Sequence, residues 1–176
     1  MLRPLLNLHD VLTRLTFWLA VAAVFYLTAV TGFEVVGRYV FRTPTDWAPD
    51  TSAVAFAYIT FLAAPMITWK SGHAAMTVVT DTAPPSVALF LTRVSLIVAA
   101  LTCGLCGYYG AVETARQIKQ GVTMITVTPI PKWTVTGVIV YGLISMALYF
   151  LRQFAATFAH NPIPNDGDAA WNGTFS

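Results

Sequence analysis

The chain has 176 residues, 56% of them hydrophobic and only 10% charged, with a formal net charge of +2. Ordinary soluble domains carry roughly 25% charged residues, so this chain cannot cover a water-facing surface; its mean hydropathy of +0.65 agrees, and the solvent it folds in is lipid. The ten Lys and Arg are scattered singly between apolar runs, which excludes the basic footprint of a nucleic-acid binder.

Arg3 and Arg14 precede the first apolar run, residues 15–33. That run exceeds the roughly 7–15 residues of a secretory h-region, and three more follow, so an uncleaved first span is expected. A membrane helix needs about 20 mainly apolar residues to cross a hydrocarbon core of roughly 30 Å. Charge-free runs of that size lie at residues 15–33, 51–69, 94–112 and 133–151. One Lys or Arg at mid-span would cost roughly 2.5–3.5 kcal/mol. The expected fold is therefore an all-α integral membrane protein with four transmembrane helices. It forms one domain over residues 1–159, followed by a polar tail, 160–176, whose Asn, Asp, Gly and Pro content predicts disorder. Phe17, Trp18, Trp69, Tyr108, Tyr109, Trp133 and Tyr149 suit interfacial belts.

After the first span the helical pattern continues. Glu34, Arg38 and Arg42 recur at i, i+4 and i+8, with the acid four positions before the first base, the favourable order. This predicts an amphipathic interfacial extension. Thr43-Pro44-Thr45 breaks it, and Asp46-Trp47-Ala48-Pro49-Asp50 opens the second helix, in which Pro65 predicts a kink. Glu34, Arg38, Arg42, Asp46 and Asp50 admit two readings: a solvated helix with screened ion pairs, or a docking surface for another subunit. His73, in the connection of residues 70–85, reads as a loop histidine.

The third span carries Ala100, Cys103, Gly104, Gly107 and Gly110 at helical spacing. Small residues let a neighbouring backbone approach closely, which predicts a helix-packing face. The third connection, residues 113–132, ends in a Pro-rich extended stretch, 127–131.

The chemistry absent from the spans is as informative. No ionisable residue lies mid-span and no span is broken by paired Gly and Pro, whereas solute pathways require such features. The three histidines, His9, His73 and His160, fall outside the apolar runs, so no haem or metal site is expected and no cofactor. Cys103-Gly104-Leu105-Cys106 raises the alternative of a quinone-linked disulfide oxidoreductase. That chemistry needs a water-accessible pair and a second pair to relay electrons, and here a single pair sits mid-helix in an apolar setting. A self-assembling exporter would need an intramembrane acid, for which Glu34 is the nearest residue. Basic residues divide five to each side, so charge does not decide the orientation.

The run Gly37-Arg38-Tyr39-Val40-Phe41 followed by Pro44, Trp47 and an acidic helix start resembles the small permease subunit, the DctQ type, of tripartite ATP-independent periplasmic (TRAP) transporters. The resemblance continues through Phe61-Leu62-Ala63-Ala64, Lys70-Ser71-Gly72-His73 and Pro131-Lys132-Trp133, covering roughly residues 10–155. It implies a non-enzymatic subunit of a bacterial or archaeal inner membrane, with cytoplasmic termini. Its implied partners are membrane lipid, a large transmembrane permease subunit that carries the substrate and sodium sites, and a periplasmic solute-binding protein that delivers an organic acid. The charged cluster and the matched motifs together make Glu34, Arg38, Arg42, Asp46, Trp47, Asp50, Lys132 and Trp133 the candidate partner contacts.

Overall fold

The computed structural model describes residues 2–42, 45–71, 85–124 and 129–159. Four long helices carry the chain: α1 (Leu2–Val36), α2 (Ala48–Ser71), α3 (Pro85–Gln120) and α4 (Lys132–Ala159). All four are long and apolar enough to cross a membrane. The architecture is all-α, with four membrane helices, as the apolar runs predict. His73, His160, the polar tail and most of the second connection lie outside the described residues.

α1 and α3, with 35 and 36 residues, would each extend about 52–54 Å at 1.5 Å per residue, well beyond the hydrocarbon core. The uncharged stretch of α1 between Arg14 and Glu34 extends about 30 Å. The ends of these helices therefore reach into the headgroup layers. Beyond Val36 the chain widens into a π-helix, Gly37–Phe41, which Arg42 closes in the left-handed region at φ 54° while its N–H donates to the Gly37 carbonyl. Tyr39, Val40 and Phe41 on this extension are all exposed.

Within the apolar environment, side-chain hydroxyls turn back to their own helices. Thr13, Thr28, Thr60, Thr68, Thr102 and Thr114 each donate to the carbonyl four residues earlier, at 2.8–3.0 Å. No lipid-facing donor is left to hydrocarbon at these positions.

α3 ends in a glycine-terminated cap. Gly121 adopts φ +60°, its N–H meets the Ile118 carbonyl, and the Val122 N–H meets the Gln117 carbonyl. These are the paired bonds of a Schellman motif. The chain then folds back through the bridge between Thr123 and Pro131, with Met124 N–H donating to Ile130 and Lys132 N–H to Val122. The return is tight enough to set α4 antiparallel against α3.

The extensive packing runs α1 on α2, α2 on α4 and α4 on α3. The helices thus form a row in the order α1, α2, α4, α3. α2 and α4 are central and each edge helix has one extensive helical neighbour. The edge helices expose large apolar side chains, among them Trp18 and Phe25 of α1 and Phe90 and Tyr109 of α3. Such faces fit lipid or a protein partner, not water.

Two close approaches hold the row. A Cβ placed on Gly107 or Gly110 of α3 would meet Ile144 at 2.9 Å or Val140 at 2.8 Å on α4. At the central seam, a Cβ on Gly142 of α4 would stand 2.5 Å from the Phe61 carbonyl oxygen of α2. Pro65 explains why that carbonyl is available. It lies inside α2, fully buried, and lacks the N–H that would satisfy the carbonyl four residues earlier, which is that of Phe61.

Candidate functional site

At one end of the row lie the residues expected to meet partners. Glu34 and Arg38 form a direct ion pair at 3.0 Å, with Arg38 largely exposed. Arg42 follows in its left-handed conformation. Asp46 and Trp47 are exposed, and the Trp47 carbonyl accepts from the Thr51 N–H and hydroxyl, both at 3.1 Å, capping the start of α2. Asp50 occupies the first turn of α2, where a carboxylate complements the helix dipole. Lys132 and Trp133 open α4, both exposed. Antiparallel packing puts all eight residues at the same end of the molecule, where Glu34 and Arg38 are directly paired.

A groove of about 370 Å³ lies beside them. It is lined by Ala22, Ala23 and Tyr26 of α1, Thr51, Ala55 and Tyr58 of α2, and Ile130 of the third connection. Ile130 therefore ties the α3–α4 return to the α1–α2 hairpin. Beneath it, Gln117 is 4% exposed. Its amide donates to Glu113 at 3.2 Å and its carbonyl accepts from the Thr136 hydroxyl at 3.0 Å.

The small-residue stripe of α3 divides. Ala100 and Gly107 are buried, Gly110 packs on α4, and Cys103 is half-buried. Gly104 has open space where a Cβ would sit. Cys103 and Cys106 are both free thiols, Cys106 being exposed on α3. Neither is held by a surrounding polar network among the described residues, and no group of three or more His, Cys, Asp or Glu there is placed to hold a metal ion. Replacing both cysteines by alanine is expected to change the melting temperature of the detergent-solubilised chain little, within the about 0.5 kcal/mol typical of surface changes. A drop of several degrees would assign the thiols a structural role.

The opposite end holds a second polar assembly. Asp10 of α1 accepts from the Arg152 guanidinium of α4 at 3.0 and 3.1 Å. The Tyr149 hydroxyl, on a side chain only 2% exposed, stands 3.1 Å from Asp10 Oδ1 and 3.0 Å from Thr13 Oγ1. His9 Nε2 meets the Ser145 hydroxyl at 3.3 Å, and the His9 ring lies 4.7 Å from that of Tyr149. Trp69 of α2 also stacks with Tyr149, the ring centroids 6.0 Å apart. Gln153 donates to the Thr68 carbonyl at 2.9 Å. Three helices thus meet around one buried tyrosine, and α1 reaches across the end of α2 to α4.

These observations describe a membrane-embedded row of helices with charged groups confined to its two ends among the described residues. The family model for the DctQ component of tripartite ATP-independent periplasmic transporters matches residues 27–160. The chain belongs to the DctQ family. Comparison with curated proteins returns no match. As a DctQ protein it is a small membrane subunit of a TRAP transporter, a transport component and not a member of an enzyme family. The family works as part of a tripartite complex with a large permease and a solute-binding protein. The match covers every one of the eight end-residues beginning at Glu34. It leaves out His9, Asp10 and Thr13, the α1 members of the opposite assembly.

Proposed function

We propose that this DctQ subunit braces the large permease subunit in a bacterial or archaeal inner membrane and helps dock the periplasmic solute-binding protein. Its termini are cytoplasmic, so the segments from Glu34 to Asp50 and from Glu113 to Lys132 face the periplasm. The complex takes up a small organic acid by ion-coupled symport, with sodium as the coupling ion, and the chemistry of cargo and ion resides in the large subunit.

One observation carries this reading. No Asp, Glu, Lys, Arg or His occurs in residues 15–33, 51–69, 94–112 or 133–151. A polar solute crossing hydrocarbon needs partners at mid-membrane, and subunits that move such cargo supply them from ionisable side chains or interrupted helices. This row offers neither among its described residues. It offers instead two wide apolar edges and a charged, aromatic end, the surfaces of a support. Arg38, Arg42, Trp47 and Trp133 are of the types enriched where proteins meet.

The test is co-expression with a large permease subunit, purification in mild detergent and uptake measured in proteoliposomes. The DctQ chain is expected to co-purify with the permease, and alone to give no organic-anion uptake above empty liposomes. Uptake by the isolated chain would overturn the reading. Failure of the two chains to associate would overturn the bracing role.

A further inference from the structure

Arg14 stands apart from the other charges. Its guanidinium lies over the Trp69 ring, 5.6 Å from the centroid, within the range of a cation–π contact. The acid best placed to neutralise it is Asp10, four residues earlier on the same helix face. Asp10 is instead turned to α4, where Arg152 and Tyr149 occupy its oxygens. No carboxylate among the described residues forms a salt bridge with Arg14. Arg14 is exposed and immediately precedes the uncharged run of α1, at the depth of the headgroups. Trp18, one turn deeper on the same face, is 62% exposed, and Lys70 follows Trp69 at the end of α2. Asp10 is the single acid among the described side chains of this end, against Arg14, Lys70, Arg93 and Arg152.

We infer that Arg14, backed by Trp69 and with Trp18 beneath it, binds the phosphate of an anionic phospholipid at this end of the row. The planar guanidinium can hold two phosphate oxygens with parallel N–H bonds, and the cation–π contact with Trp69 holds it at this end of the row. Trp18 supplies the amphipathic ring that settles at the boundary between headgroup and acyl chain. Charge complementarity selects the anionic lipid over a zwitterionic one, whose choline or ethanolamine would meet the Arg14 guanidinium. The inference does not depend on the bracing role, because it concerns the chain's own lipid contacts.

The test is native mass spectrometry of the full chain released from mixed micelles holding equal amounts of phosphatidylglycerol and phosphatidylcholine. The wild type is expected to retain phosphatidylglycerol preferentially. Arg14→Gln should lower that preference about fivefold, the factor expected for one basic residue at an anionic surface. Arg14→Lys should keep most of it, and Arg116→Gln, at the opposite end, should leave it unchanged. Equal retention of both lipids by the wild type, or undiminished preference in Arg14→Gln, would overturn the inference. So would displacement of the lipid by excess inorganic phosphate, which would assign the site to a soluble anion.

Discussion

Gly142→Ala is expected to lower the stability of the detergent-solubilised chain by about 2 kcal/mol or more, and Gly142→Leu to prevent a stable fold. In a helix, alanine ordinarily gains up to about 1 kcal/mol over glycine, so the sign of this change is diagnostic. The added Cβ would fall 2.5 Å from the Phe61 carbonyl oxygen and 3.1 Å from its Cβ. The obstacle is backbone, which cannot rotate aside as a side-chain tip can. Pro65 has already displaced the same carbonyl from its helical role, because its ring crowds the carbonyl four residues back. α2 and α4 therefore meet where one helix has a carbonyl that Pro65 cannot bond and the other has no side chain. Gly137→Ala, on the same helix with nothing within 4 Å of the new atom, is the matched control and should be neutral or mildly stabilising. Melting curves of the three proteins in one detergent decide the matter. Equal melting temperatures for Gly142→Ala and wild type would show that the seam can open without loss.

Asp10→Asn is the second large effect, expected to cost about 1–3 kcal/mol. The change leaves Arg152, whose side chain is one-third exposed, without its counter-charge, and removes an acceptor facing the buried Tyr149 hydroxyl. The partial exposure of Arg152 keeps the figure below the about 3–5 kcal/mol of a fully buried broken pair. Arg152→Gln should cost a similar amount. The double variant should cost less than the two singles together, with a coupling of about 1 kcal/mol or more if the two side chains act as a unit. Strict additivity of the two losses would show that the pair contributes nothing through its contact. Because the coupled residues belong to α1 and α4, protease susceptibility of α1 should rise in both singles while that of α3 stays unchanged.

Much of this was legible in the sequence, for a physical reason. Hydrocarbon makes a single demand on a spanning segment, about 20 residues with no charge, and residues 51–69 or 133–151 satisfy it without ambiguity. The i, i+4 relation of Glu34 and Arg38 was equally readable, since a helix makes neighbours of residues at that spacing. The assembly around Tyr149 was not. Asp10 lies 142 positions from Arg152, and nothing in either neighbourhood says which helices become adjacent. The faint signal was an acid inside an otherwise basic, apolar amino-terminal stretch. Gly142 was hidden for the same reason. The α3 stripe drew attention because its small residues repeat, whereas the seam between α2 and α4 depends on one glycine meeting the carbonyl that a distant proline frees. Gly104 shares the repeat, yet a Cβ there would meet nothing within 4 Å. Helical periodicity reports which residues share a face but not which face finds a neighbour.

The order α1, α2, α4, α3 has a bearing on biogenesis. The chain consists of two hairpins, and α1–α2 can enter the bilayer and pair before α3–α4 has left the ribosome. Their meeting then draws on the Gly142 contact and on the carboxylate of Asp10, which waits at an aqueous boundary until Arg152, on the last of the four helices, arrives. The last basic residue to be synthesised within the helical domain is thus the one that closes the quaternary-like junction between the halves.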